Sequence, residues 1–200
     1  MEYIFQAIVI IYSIIIHEYM HGWAADQMGD DTARVSGRLT MNPIPHIDIL
    51  GSIIFPLLLI LSQVGFVFAW AKPVPFNPFR LNDQKYGILK VAIAGPAGNF
   101  ILALIFGLIL RFAPITMDLA KVFGFIVMFN LMLMVFNLMP IPPMDGSKVL
   151  ASILPDGLAA KYMELERFGM IFVFVFIMLG FPIVSALVKI LFQLITGISL

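Results

Sequence analysis

Residues 8–23 read Ile8-Val9-Ile10-Ile11-Tyr12-Ser13-Ile14-Ile15-Ile16-His17-Glu18-Tyr19-Met20-His21-Gly22-Trp23, an apolar run that ends in three ionisable side chains within five positions. Nine consecutive residues of this kind, Ser13 and Tyr12 included, belong in hydrocarbon. Ionisable groups are expensive there and are retained for a function. Positions 17 and 21 are four apart, so on a helix they share one face. The fold and the chemistry therefore have to be read together from this stretch.

The rest of the chain confirms the solvent. Of 200 residues, 61% are hydrophobic and 12% charged, and the mean hydropathy is +1.01. Such a composition lies far outside the range of water-soluble domains. A crossing helix needs about 20 apolar residues, and stretches 3–23, 50–70, 91–111, 122–139 and 168–200 qualify or nearly do. The first has no basic leader and no small-residue cleavage site, so it is expected to stay in the mature protein and not to act as a signal peptide. The last is interrupted by Gly180, Phe181 and Pro182 and carries Lys189, so it makes either two short crossings or one crossing and an interfacial helix. The expected fold is an all-α polytopic membrane protein with about 4–6 transmembrane helices, forming a single domain over 1–200. A formal net charge of zero without a basic patch gives no reason to expect a nucleic-acid partner. Trp23 and Trp70 sit at span ends, where the interfacial aromatic belt explains them.

His17-Glu18-Tyr19-Met20-His21 has the spacing with which two imidazoles grip one metal ion while the intervening glutamate reaches the water beside it. Zinc brings the pKa of its water to about 7, and a carboxylate can then take the proton during attack on a peptide carbonyl. The competing reading is two interfacial histidines and a snorkelling glutamate. Three ionisable groups in five positions weigh against it. Catalytic zinc commonly has three protein ligands, and the chain contains no cysteine, so the third is a carboxylate or His46. Asp26 lies five residues beyond His21, about 140° around the helix, and faces away. Asp48 and His46 occupy the turn-rich stretch 42–48, where a cap or a backbone hydrogen bond suits them. Asp145 follows a run of prolines that breaks the helix at membrane depth, and Gly146 frees the backbone to turn a carboxylate inward. Asp145 could instead cap the helix that Ser147 begins.

Three motifs, in order, resemble the site-2 proteases, intramembrane zinc metalloproteases that cut other membrane proteins. They are His17–His21, Gly95-Pro96-Ala97-Gly98-Asn99, and the segment from Asn137 through Pro140 to Asp145-Gly146. The likeness covers residues 8–153. It implies one Zn²⁺ held by His17, His21 and Asp145, Glu18 as the base, and Asn99 holding the substrate or its oxyanion. Many relatives carry PDZ or CBS modules; these 200 residues are expected to be the catalytic core alone. Gly95–Asn99 also has the look of a close helix-packing surface with an asparagine as interhelical glue. Asn130 and Asn137 are seven apart, on one helix face expected to turn toward the catalytic interior, with Asn137 a substrate contact.

Topology follows from the motifs. Asn99 and Asp145 fall on one side of the membrane, and His21 joins them only if 49–70 enters and returns. Residues 49–62 span about 21 Å as a helix, too short for a core of about 30 Å. Gly65 permits a turn, and Phe66, Val67 and Phe68 could come back as a strand that pairs with the unwound substrate. With this re-entrant helix and strand, Arg34, Arg38, Lys72, Arg80, Lys85, Lys90, Lys148, Lys161 and Arg167 lie on one side, against Arg111 and Lys121 on the other. Nine against two places the active site toward the cytoplasm of a prokaryotic plasma membrane. The expected function is hydrolysis of peptide bonds in or near the transmembrane segments of membrane-protein substrates. Two other classes fit the same residues, a metal-ion transporter, in which Glu18 would be dispensable, and a non-proteolytic scaffold that binds membrane helices.

Overall fold

The computed structural model describes residues 2–63 and 70–199. All regular structure among them is helical. Helix α1 (Glu2–Gln27) carries the His-Glu motif; a short α2 (Thr32–Val35) follows, and α3 (Phe55–Leu61) continues from a π-helical turn at Ile49–Ile54. Two long helices come next, α4 (Gly87–Phe112) and α5 (Met117–Asn137). The chain ends in α6 (Asp145–Ala151), α7 (Asp156–Met163), α8 (Gly169–Leu179) and α9 (Phe181–Thr196).

Three of these are long and apolar enough to cross a membrane: 24 residues of α1, 26 of α4 and 21 of α5. The helical run ending at Leu179 and the helix that starts at Phe181 form a pair bent by 65°, which brings the number to four if the pair makes one broken span. That is the low end of the expected range. The polytopic all-α architecture stands, and stretch 168–200 proves to be two helices broken at Gly180, where Pro182 cannot continue the hydrogen-bond ladder of α8.

Helix α4 is the centre of the molecule, packing against α1 on one flank and α5 on the other. Ala103 from α4, Val127, Leu131 and Val135 from α5, and Val184, Val188, Phe192 and Ile195 from α9 make the buried apolar cluster. Outward faces such as Ile101, Ile105 and Leu108 stay exposed, as a lipid-facing helix requires.

The two described ends of the segment at 49–70 lie beside each other. Trp70 N–H donates to the Gly51 carbonyl at 3.2 Å, and the Ser52 hydroxyl donates to the Trp70 carbonyl at 2.8 Å. The chain that leaves at Gly51 is back beside it at Trp70. Phe66, Val67 and Phe68, expected as a returning strand, lie outside the described residues. From Trp70 the chain runs without regular structure to Asn77. This strap is anchored by Lys72 N–H on the His46 carbonyl at 2.9 Å and by Asn77 N–H on buried Asp30. Arg80 pairs with Asp31, Arg34 with Asp26, and Lys90 with Asp83 at 2.6 Å, so a polar cap closes over the C-terminal end of α1 and the N-terminal end of α4.

Candidate metal centre

One face of α1 presents His17 and His21 toward α4. Their approach depends on Gly95: a Cβ built there would stand 2.4 Å from His21 Nε2 and 2.9 Å from His17 Cε1. Only glycine leaves the imidazoles their place, which gives the Gly-x-x-x-Asn element a physical reason. Asp145 comes from the other end of the chain. It is the first residue of α6, whose N-cap is Met144, so its carboxylate is free to face the histidines. Gly146 permits that turn, because a Cβ there would fall 2.2 Å from the Leu138 carbonyl oxygen at the end of α5.

The three side chains converge. His17 Nε2 and His21 Nε2 are each 3.1 Å from Asp145 Oδ2 and 3.1 Å from each other. Their outer nitrogens settle the tautomers. His17 Nδ1–H donates to Asn99 Oδ1 at 2.7 Å and His21 Nδ1–H to the Val91 carbonyl at 2.7 Å. Both partners are pure acceptors, so in the neutral rings the Nε2 lone pairs point at one another and at a carboxylate oxygen. Three acceptors meeting at one point are an arrangement that a bound cation satisfies. The ligand separations match the edge of a tetrahedron with metal bonds of about 2.0 Å, roughly 3.3 Å. A set of two imidazoles and one carboxylate is a catalytic zinc set. It is the one group of three or more His, Asp or Glu among the described residues that could hold a metal.

Around the group is a cavity of about 230 Å³, walled by His17, Glu18, His21, Pro73, Val74, Phe76, Asn137, Asp145 and Lys148 among others. Glu18 opens onto it and is not part of the metal-competent group; its Oε2 accepts from Val74 N–H at 2.8 Å. Lys148 Nζ stands 3.7 Å from Asp145 Oδ1, the oxygen turned away from the histidines.

Asn99 is placed differently from expectation. It is fully buried behind His17, outside the cavity wall. Both amide hydrogens are committed, to the Ser13 carbonyl at 3.0 Å and Asn130 Oδ1 at 2.9 Å, so none is left for an oxyanion. Asn130 in turn donates to Ser13 Oγ at 2.9 Å. Asn137 does reach the cavity, donating to the Leu133 carbonyl at 2.9 Å. The other carboxylate and imidazole candidates are occupied elsewhere. Asp26 holds Arg34, Asp48 caps Gly51 N–H at 2.7 Å, and His46 donates to the Thr40 carbonyl at 2.9 Å.

Four supports had escaped the sequence reading: Ser13, the Val91 carbonyl, the Val74 N–H and Lys148. Only Ser13 left a trace, at four-residue spacing with His17 and His21.

The family model for Peptidase family M50 matches residues 111–181, the stretch that supplies Asp145. The chain is 37% identical over 176 residues to the Bacillus subtilis (strain 168) protein "Putative zinc metalloprotease YwhC", covering 84% of this chain and 77% of that one. It is 31% identical over 137 residues to the Mycolicibacterium smegmatis protein "Putative zinc metalloprotease Rip2", covering 67% of this chain and 51% of the relative. Over 83 residues it is 34% identical to the zinc metalloprotease MJ0392 of Methanocaldococcus jannaschii, 40% of this chain and 24% of the relative. No solved structure gives a significant match. Similarity to a metalloprotease relative over 84% of its length places this chain in peptidase family M50, the site-2 proteases, and with its long apolar helices and a group of two histidines and an aspartate that could hold a metal it is a membrane zinc metalloprotease.

Proposed function

We propose that the chain is an intramembrane endopeptidase that hydrolyses peptide bonds in or near the transmembrane segments of other membrane proteins, working as one membrane domain. The observation that carries this reading is the convergence of His17, His21 and Asp145 within 4.8 Å, with Glu18 beside them on a helix apolar enough to span. His17, His21 and Asp145 would hold one zinc ion. When bound, the ion supplies a Lewis acid to the scissile carbonyl and acidifies water. Glu18 accepts the proton of the attacking water and returns it to the departing amine. Asn99 positions His17 through its Nδ1–H, and Asn137 meets the substrate in the cavity. Phe66, Val67 and Phe68, which lead into the strap, contact the substrate backbone.

A helix hides its carbonyls in its own hydrogen bonds, so cleavage within one demands local unwinding. The site faces the cytoplasm of a prokaryotic plasma membrane on the charge distribution described above.

The decisive test is co-expression with candidate single-span membrane proteins, comparing wild type with Glu18→Gln. Cleavage by the wild type, and none by a variant that keeps its zinc, is the expected outcome. Zinc-dependent ion flux that survives Glu18→Gln, without cleavage, would establish transport instead. Orientation is read from single cysteines at Thr40 and Gln84, which should both react with an impermeant thiol reagent from the cytoplasmic side; labelling from opposite faces refutes the re-entrant topology.

A further inference from the structure

Arg38 is buried, with 8% of its surface exposed, and no carboxylate among the described residues lies within ion-pair distance of it. Burying a guanidinium without a counter-ion is costly, so its contacts have to account for it. Its Nη2 donates to two consecutive carbonyls of the strap, Lys72 O at 2.6 Å and Pro73 O at 3.2 Å, while its buried Nε has no partner among the described residues. The next residue is Val74, whose N–H holds Glu18 Oε2 at 2.8 Å. Proline at 73 and 75 leaves Val74 the sole backbone donor of that stretch. The order is thus guanidinium, two carbonyls, one N–H, and the carboxylate in the cavity.

We infer that Arg38 is a positioning residue for the base: by clamping the carbonyls of Lys72 and Pro73 it sets the place of the Val74 N–H, which fixes the rotamer of Glu18 in the cavity. A bond from the strap to a flexible glutamate orients it only if the strap is itself immobile. Two charge-assisted bonds to adjacent carbonyls supply that rigidity from a helix-capping loop that never touches the metal ligands. The inference rests on the reading of Glu18 as base, and its test separates the two.

Four forms of the full chain are compared in membranes or detergent: wild type, Arg38→Met, Val74→Pro and the double variant, with Arg38→Lys as the conservative control. Amide exchange at Val74 and zinc content are measured on wild type, Arg38→Met and Arg38→Lys, and turnover of a single-span substrate on all. Arg38→Met should speed exchange at Val74 about tenfold or more with amides of α1 unaffected and zinc retained, and should lower kcat about tenfold. Arg38→Lys should recover part of both. The double variant should be no slower than Val74→Pro alone, since both changes break one chain of contacts. Unchanged exchange at Val74 in Arg38→Met overturns the clamp. Faster exchange at full kcat, or losses in kcat that multiply in the double variant, overturns the link to Glu18. Absence of turnover in the wild type refutes the protease reading, and the exchange comparison still decides the clamp. Should Arg38→Met fail to fold, Arg38→Lys decides on the same two readouts.

Discussion

The two histidines of the metal site face the same carboxylate but are held from behind in different ways. His17 rests on side chains, Asn99, then Asn130 and Ser13, drawn from α4, α5 and α1 and all buried. His21 rests on main chain, the carbonyl of Val91. A carbonyl cannot be deleted by substitution, whereas an amide side chain can. The two ligands of one ion should therefore respond differently to mutation of their surroundings.

The largest effect sets the scale. His17→Ala, His21→Ala and Asp145→Ala should each lower zinc affinity by more than roughly a hundredfold, since each removes one of three ligands; zinc content by metal analysis after dialysis reads this. Full occupancy in Asp145→Ala would return the third ligand to Asp48 or His46. Gly95→Ala comes next. Its methyl group would meet both rings, and zinc affinity should fall about a hundredfold without loss of any ligand.

The comparison itself is sharpened by Asn99→Ala and Val91→Ala. Asn99→Ala should weaken zinc by about 10- to 100-fold, the usual range for a lost second partner of a ligating histidine. Val91→Ala should leave zinc within about twofold, because the carbonyl stays. Equal losses in competitive chelator titrations would break the distinction between side-chain and main-chain support. The smallest effects belong to the outer members. Asn130→Ala should cost several-fold and Ser13→Ala less, and Asn99→Ala with Asn130→Ala should cost no more than Asn99→Ala alone, as contacts in series do.

The same contrast explains what could be read from the sequence. His17, Glu18 and His21 were legible because helical period turns spacing into geometry, and the shortness of the helical stretch after residue 49 was legible from its apolar length. Asp145 taken alone read equally as a cap and needed the His17–His21 motif to separate it from one, and the structure shows why: it is the first residue of α6, and its carboxylate faces the histidines. Asn99 was found, but its direction was not. Whether an amide faces a cavity or the back of an imidazole depends on how α1, α4 and α5 cross, which no local pattern encodes. The strap had no signature, since Val74 acts through its N–H and Val91 through its carbonyl, and main-chain groups are the same at every residue but proline.

Pro96 gives the Val91 carbonyl a mechanical meaning. In the ladder of α4 that carbonyl also belongs to the N–H of Gly95, and the next rung, from residue 96 to Ala92, is missing because proline has no N–H. His21 thus shares its acceptor with a helix at its weakest turn. The imidazole that would hold the ion is thereby hinged to the turn of α4 that has lost a rung, in the helix that also packs against α5.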